Sequence, residues 1–199
     1  MTIGIIGAGA IAQALAKRLI AADYPVILSN SRGPASLERV VATLGPGASA
    51  GTVEDAATPG IVIIAAPWSQ LPGTLGRFDH WNDRILIDTT NPIEPPHYTM
   101  AELGGRSSSE LVADLVPGAR LVKAFNTLTP AVLALDPREA GGRRVIFYSG
   151  DDAAAKATFN DVLTSCGYAG VDLGDLATGG RLQQFPGGPL PGLNLIRIG

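Results

Sequence analysis

Gly7, Gly9 and Ala12 are spaced as Gly-x-Gly-x-x-Ala, directly after the apolar run Ile3-Gly4-Ile5-Ile6 and directly before an amphipathic stretch from Gln13 to Ala22. Residues of these types act through the backbone rather than through side chains. Gly7 permits a tight turn, Gly9 clears the way for main-chain N–H groups to meet an anion, and Ala12 lets a helix lie close to a sheet. A helix that starts at this point directs its unpaired N–H groups and its positive dipole end into the loop. Gly7, Ala8, Gly9, Ala10, Ile11 and Ala12 therefore read as a cradle for the pyrophosphate of a dinucleotide.

The next apolar run, Pro25 to Ser29, ends in Asn30-Ser31-Arg32-Gly33. A fold that prefers NAD usually places Asp or Glu here to accept hydrogen bonds from the ribose 2′-hydroxyl. No acid stands at this point. Ser31 can donate to a 2′-phosphate and Arg32 can make a forked, charge-assisted contact with it, which selects NADP(H) over NAD(H).

Three further apolar runs end in polar or small residues: Ala65-Ala66-Pro67-Trp68-Ser69-Gln70, Asp88-Thr89-Thr90-Asn91-Pro92, and Lys123-Ala124-Phe125-Asn126-Thr127. In an open parallel sheet a ligand sits beyond the carboxyl ends of the strands, so these loops bracket the ribose and nicotinamide. Asn91, Asn126 and Thr127 could orient a carboxamide or ring carbonyl without a change of charge, and Asn126 and Thr127 are the candidates to meet a substrate. Trp68 reads as a packing residue. The chain has no Ser-His-Asp order, no paired-carboxylate motif and no Tyr-x-x-x-Lys pair, and Lys123 would be a base only if it pointed into the cleft. No catalytic side chain is assigned. Such a site suits hydride transfer between two cofactors, where the protein holds two ring faces together and excludes water.

The elements that must position these loops alternate along the chain. Strands are expected near Thr2–Ile6, Pro25–Ser29, Ser49–Gly51, Ile61–Ala65, Arg84–Asp88, Arg120–Ala124, Arg143–Ser149 and Ala169–Leu173, with helices at Ala10–Ala21, Ala35–Leu44, Trp68–Gly76, Ser107–Val116, Thr129–Leu135 and Asp152–Cys166. That order predicts an α/β Rossmann-type fold, doubly wound, with a mainly parallel sheet of about eight strands and a short C-terminal extension. Ser107-x-x-Glu110 is a capping box, and Ser149-Gly150-Asp151-Asp152 is placed to cap the helix that follows. Residues 1–178 form the expected NADP-binding domain. Residues 179–199 are rich in Gly and Pro yet keep Leu190, Leu193, Leu195 and Ile196, so an irregular segment is expected there, covering the cleft or a subunit interface.

Composition narrows the partners. The 199 residues are 46% hydrophobic and 17% charged, with a net charge of −3, which excludes a disordered chain and gives no general attraction to nucleic acid or to an acidic membrane. No basic leader precedes an unbroken apolar run, so the expected location is cytoplasmic. Cys166 is the only cysteine and reads as a small core residue. His80 and His97 lack metal-ligand spacing, and no metal is expected.

Taken in order, these motifs resemble the coenzyme F-420-dependent NADP oxidoreductases, whose fold also supplies the NADPH-binding domain of some membrane ferric reductases. The resemblance runs through the Gly7–Ala12 loop, Ser31-Arg32, Pro67-Trp68, Asn91-Pro92, Arg106-Ser107-Ser108-Ser109-Glu110, Ala124-Phe125-Asn126-Thr127, Gly150-Asp151-Asp152 and Leu193-Asn194-Leu195-Ile196-Arg197. It implies that Ala8, Gly9, Ala10 and Ile11 line the pyrophosphate and that Ser31 and Arg32 hold the 2′-phosphate, Asn30 standing beside them. It also places Ala66, Pro67 and Gln70 beside the nicotinamide half, with Asn91, Ala124 and Phe125 close by. A deazaflavin co-substrate, coenzyme F-420, would lie under the C-terminal segment. Two departures keep other acceptors open. Deazaflavin enzymes of this family can carry His-Thr where this chain has Asn126-Thr127, closer to the ferric reductase version, and the tail is short and glycine-rich. A flavin, a small imine or a carbonyl compound would then be the acceptor, or the chain would be a non-catalytic NADP(H) sensor. The apolar tail leaves a homodimer open.

Overall fold

Runs of Ile, Val and Leu build the middle of the sheet, because β-branched and apolar residues suit strands buried on both faces. The computed structural model describes residues 1–94 and 99–199. Its strands are β1 (Ile3–Ile6), β2 (Val26–Ser29), β3 (Ala48–Ala50), β4 (Ile61–Ile64), β5 (Ile85–Asp88), β6 (Ile93–Glu94), β7 (Thr99–Met100), β8 (Arg120–Ala124), β9 (Arg138–Glu139), β10 (Gly142–Gly150), β11 (Ala169–Asp172) and β12 (Ile196–Arg197). The α-helices are α1 (Ala10–Ile20), α2 (Glu38–Leu44), α3 (Val53–Ala57), α4 (Leu71–Leu75), α5 (Ser108–Asp114), α6 (Pro130–Ala134), α7 (Ala153–Ser165) and α8 (Gly179–Gln183).

The main sheet runs β11-β10-β8-β5-β4-β1-β2-β3, so each of the eight expected strands takes part in it. From β3 to β8 every pairing is parallel; β10 then joins antiparallel to β8 and parallel to β11. The strand order reverses between β1 and β4, which is where such a sheet opens its ligand crevice. Alternation sends Ile3, Ile5, Ile61, Ile63, Ile85, Ile87 and Val122 to one face, beneath α1 and α7. Ile6, Val62, Ile64, Leu86 and Leu121 point to the other, beneath α3, α4 and α5. Gly4 has a packing role of its own, since a Cβ there would lie 1.7 Å from the Ala56 carbonyl oxygen of α3.

Several elements differ from the expectation. The helix expected at Ala35–Leu44 begins as a 3-10 turn, Pro34–Leu37, before α2, and the one at Trp68–Gly76 begins as a 3-10 turn, Trp68–Gln70, before α4. Pro34 opens the first of these turns at its first position, and Pro67 stands as the N-cap of the second. Helix α3, with a Thr52–Asp55 capping box, and the short strands β6, β7, β9 and β12 were not anticipated. Ser107 and Glu110 do form the reciprocal capping box of α5, and Asp152 caps α7 through Ala155 N–H at 2.6 Å. The tail is irregular apart from α8 and β12. Leu193, Leu195 and Ile198 remain exposed on it rather than buried within the chain. Among the described residues no helix is long and apolar enough to cross a membrane.

Candidate dinucleotide site

Helix α1 starts on Gly9 with no side-chain cap. Gln13 N–H reaches back to the Gly9 carbonyl at 3.0 Å, and Gln13 Nε2 donates to the Ala8 carbonyl at 2.8 Å, which holds the loop in shape. Among the described residues the N–H groups of Ala10, Ile11 and Ala12 have no backbone acceptor, as expected of the first turn of a helix. The two glycines differ. A Cβ on Gly7 (φ +129°) would sit 2.2 Å from the Ala65 carbonyl oxygen, so β1 and β4 close over it, whereas around Gly9 a Cβ would meet nothing within 4 Å. Open space over Gly9, bounded by free N–H groups, fits a pyrophosphate. Ala12 is fully buried and Ile11 packs into the core, so their side chains hold the helix while their N–H groups face the loop.

Asn30 shapes the turn after β2. Its Oδ1 accepts from Arg32 N–H at 2.9 Å and its Nδ2 donates to Ser36 Oγ at 2.9 Å. That occupies the Asn30 side chain and leaves Ser31 and Arg32 exposed, with no protein partner for either side chain among the described residues. A free hydroxyl and a free guanidinium at the end of β2 fit the 2′-phosphate of NADP(H).

The ends of β4, β5 and β8 require corrections. Ala66 is half-buried, while Pro67 and Gln70 are exposed beside it; Trp68 packs on the apolar cluster under α3 and α4. Ala124 and Phe125, expected at the cofactor, have their side chains in the core. Ala124 lies on the α1 face by strand alternation. Phe125 would alternate to the opposite face of the sheet, but its left-handed backbone (φ +64°) turns the ring to the α1 face against Phe159 and Tyr168, at 5.6 and 6.2 Å between centroids. Only their main-chain groups remain to meet a ligand.

Asn126, expected to face a substrate, is also buried. Its Nδ2 donates to Asn91 Oδ1 (2.9 Å) and to the Gln183 carbonyl (2.6 Å), and its Oδ1 accepts from Gln183 Nε2 (2.9 Å). Asn91, expected at the cofactor, belongs to the same network: its Nδ2 donates to the Asn126 carbonyl at 3.0 Å and its Oδ1 also accepts from Phe185 N–H at 3.1 Å. Both side-chain amides are engaged within the protein, Asn126 through both of its N–H groups and Asn91 through one, so they position the β5 and β8 loops. Thr127 differs in that, among the described residues, its hydroxyl makes no hydrogen bond while its carbonyl accepts from Gly192 N–H at 2.8 Å.

Lys123 does not enter the cleft. It is fully buried and donates to Asp88 Oδ2 at 2.9 Å and to the Thr90 carbonyl. The other Asp88 oxygen accepts from the N–H and hydroxyl of Thr90 at 2.8 and 2.7 Å. Burial, not approach to a ligand, governs the remaining titratable core groups. It pushes the Cys166 thiol up to about 11 and the Tyr168 phenol up to about 12, and raises the Tyr148 phenol. Cys166 is half-buried against the core. His97 lies outside the described residues.

Sequence reasoning missed Gln183 and Gln184. Gln183 Oε1 accepts from Ser149 Oγ at 3.1 Å, and Gln184 Oε1 accepts from Ser108 N–H at 2.9 Å. Their signal was available as two adjacent glutamines in a segment otherwise rich in Gly, Pro and apolar residues.

Comparison with known proteins agrees with this geometry. A structure described as a hypothetical protein, SMa0349 from Sinorhizobium meliloti, shares 46% identity with a TM-score of 0.93, over 99% of this chain and 96% of that one. A putative F420-dependent NADP-reductase from Arthrobacter sp. FB24 shares 26% identity with a TM-score of 0.72, over 87% and 85%. Metalloreductase STEAP3 of Rattus norvegicus is 29% identical over 186 residues, 92% of this chain but only 36% of that protein, so the chain spans little more than a third of this curated relative. Residues 2–92, just under half of this chain, match the model of the family described as NADP oxidoreductase coenzyme F420-dependent, and together these likenesses mark the chain as an NADP-dependent oxidoreductase.

Proposed function

We propose that this chain binds NADP(H) across the β1–β4 crevice and passes a hydride between its nicotinamide and a deazaflavin ring, that of coenzyme F-420. One observation carries the choice of reaction: Lys123, the one buried amine near the crevice among the described residues, is closed off by Asp88 and Thr90. An alcohol-forming carbonyl reduction would want a positioned proton donor, whereas ring-to-ring hydride transfer needs orientation and exclusion of water. Bound NADPH supplies the hydride from its nicotinamide ring. The N–H groups of Ala10, Ile11 and Ala12 hold the pyrophosphate, and Ser31 and Arg32 hold the 2′-phosphate. Ala66, Pro67 and Gln70 flank the nicotinamide. Residues 1–178 carry the dinucleotide, and residues 179–199, tied to the β5 and β8 loops through Gln183 and Phe185, cover the acceptor side.

A second reading, a flavin or a small imine or carbonyl acceptor, is supported by Asn126-Thr127, which stand where deazaflavin enzymes of the resembled family can carry His-Thr. The test is NADPH oxidation followed by absorbance with oxidised coenzyme F-420, beside FMN, FAD and an acceptor-free control. Turnover with the deazaflavin alone supports the first reading, and turnover with FMN or FAD the second. NADPH binding without turnover on any acceptor would overturn both and leave a sensor. The NADP leg is tested separately. Arg32→Ala should cost about 1.5–3 kcal/mol, roughly ten- to a hundred-fold in NADPH affinity, with little effect on NADH. Equal losses for both cofactors would remove Arg32 from the phosphate site.

A further inference from the structure

At the far edge of the sheet, β9, β10 and β12 form an antiparallel three-strand ribbon in which Arg143 of β10 lies directly opposite Arg138 of β9 on one side and Arg197 of β12 on the other. Residues directly opposite in an antiparallel pair share a face, with Cβ atoms about 4.5–5.5 Å apart, and like charges so placed repel. Three guanidinium-bearing residues therefore stand in one row. No carboxylate lies within 4 Å of any of their guanidinium groups among the described residues. The neighbouring acid does not relieve them. Glu139 is engaged by Arg144 Nη2 at 2.6 Å, and Asp136 Oδ1 accepts from the Arg138 backbone N–H at 2.9 Å.

This row borders an open groove of about 510 Å3 that is also lined by Glu139, the Ala140-Gly141 turn and Gly199. The ribbon is built to keep the groove in shape. Gly142 allows β12 to approach closely, since a Cβ there would lie 2.4 Å from the Arg197 carbonyl oxygen. On the opposite face Arg144 is fully buried and also donates to Asn194 Oδ1, which fastens the segment leading into β12. Arg138 folds its guanidinium toward Gly167 at the rim, while Arg143 and Arg197 stand opposite each other in register. A fixed row of unneutralised arginines on a chain of net charge −3 is a local potential of the wrong sign for its surroundings, and it repels itself unless an anion is present.

We infer that the Arg138–Arg143–Arg197 row binds a multiply charged oxyanion, a phosphate or polycarboxylate group of a small molecule. This does not rest on the identity of the hydride acceptor. Two sources fit the chemistry, the anionic tail of the acceptor or a separate anion. The tail is within reach of the site. Gly192 is hydrogen-bonded to Thr127 and Arg197 follows five residues later, at most about 18 Å of extended chain. Moreover, Ala124 at the end of β8 faces Tyr148, so the first half of β10 projects past the carboxyl end of β8.

The experiment is titration calorimetry of the full chain with inorganic pyrophosphate at low salt, where screening is weakest. Arg197→Gln, on the outermost strand, should weaken binding about tenfold, and Arg143→Gln with Arg197→Gln about a hundredfold. Saturating NADPH, which fills the dinucleotide loop, should leave binding at the row intact. Equal affinity in the wild-type protein and the double variant, or loss of all pyrophosphate binding once NADPH is bound, would overturn the inference. Competition then separates the sources. Displacement of pyrophosphate by FMN but not by riboflavin assigns the row to an acceptor's tail, and displacement by neither assigns it to a separate anion. A chain that oxidises no NADPH but binds pyrophosphate at the row keeps this site and loses only the proposed reaction.

Discussion

Asn126 and Gln183, 57 residues apart, join the β8 loop to the C-terminal segment by two hydrogen bonds running in opposite directions: Asn126 Nδ2 to the Gln183 carbonyl and Gln183 Nε2 to Asn126 Oδ1. Ser149 adds a third bond to the Gln183 side chain. Gln183→Leu keeps the bulk but leaves the buried Asn126 oxygen and Ser149 hydroxyl without partners. A loss of about 1–3 kcal/mol is expected, or some 2–4 °C of Tm per kcal/mol for a chain of this size. Urea unfolding measures it. An unchanged midpoint would mean that the tail is held by something other than this network.

Gly7 and Gly9 separate folding from binding. Gly7→Ala forces a Cβ against the Ala65 backbone at a positive φ, so it should destabilise the fold markedly and cannot be interpreted as a binding variant alone. Gly9 has an ordinary φ of −72° and open space around it, so Gly9→Ala should cost no more than about 1 kcal/mol, largely from the poorer N-cap, while the added methyl obstructs the pyrophosphate. Thermal melts beside NADPH fluorescence titrations check both. A Gly9→Ala protein of wild-type affinity would place the pyrophosphate elsewhere.

The legibility of this chain follows the physics of each feature. Apolar runs and the glycine loop are local signals, and all eight principal strands could be placed from them. Ser107–Glu110 and Asp152 were readable because a cap is a matter of spacing within one turn. Phe125, placed near the cofactor by the family resemblance, has a left-handed backbone that turns its ring into the core, and no local sequence signal marks that conformation. Asn126 was misread for a different reason. A polar residue after a strand looks available until the partner that saturates it, Gln183, arrives from far along the sequence. The arginine row was hidden likewise, since Arg138, Arg143 and Arg197 become neighbours only through strand register.

Asp88 and Lys123 pair across β5 and β8 with both side chains fully buried. Lys123→Met should cost about 3–5 kcal/mol, because it strands the Asp88 carboxylate without a cation. Asp88→Asn combined with Lys123→Met should recover most of that loss, since a neutral amide can still accept from Thr90. Urea unfolding of both single variants and the double variant gives the coupling. If the folded double variant also retains NADPH oxidation, Lys123 has no proton to give in the reaction; loss of turnover with binding intact would return it to the mechanism.

Cys166 and Tyr168 set the alkaline limit of stability. Burial is the main cause that raises the thiol from 9.0 to about 11 and the phenol from 10.0 to about 12, partly opposed by Arg18. Both groups are neutral when protonated, and the unfolded chain releases their protons first. Their contribution to stability is therefore complete below about pH 9 and is lost as pH rises through the folded values, the thiol between 9 and 11 and the phenol between 10 and 12. Urea midpoints measured across this range should fall, and Cys166→Ala should flatten the first part of the decline while leaving the later part. Tyr168→Phe should do the reverse, at the cost of the 3.1 Å bond from its hydroxyl to the Leu133 carbonyl. A Cys166→Ala protein that declines as steeply as wild type from pH 9 would show that the thiol is not buried in the folded chain, and the packing of α7 against α1 would need revision.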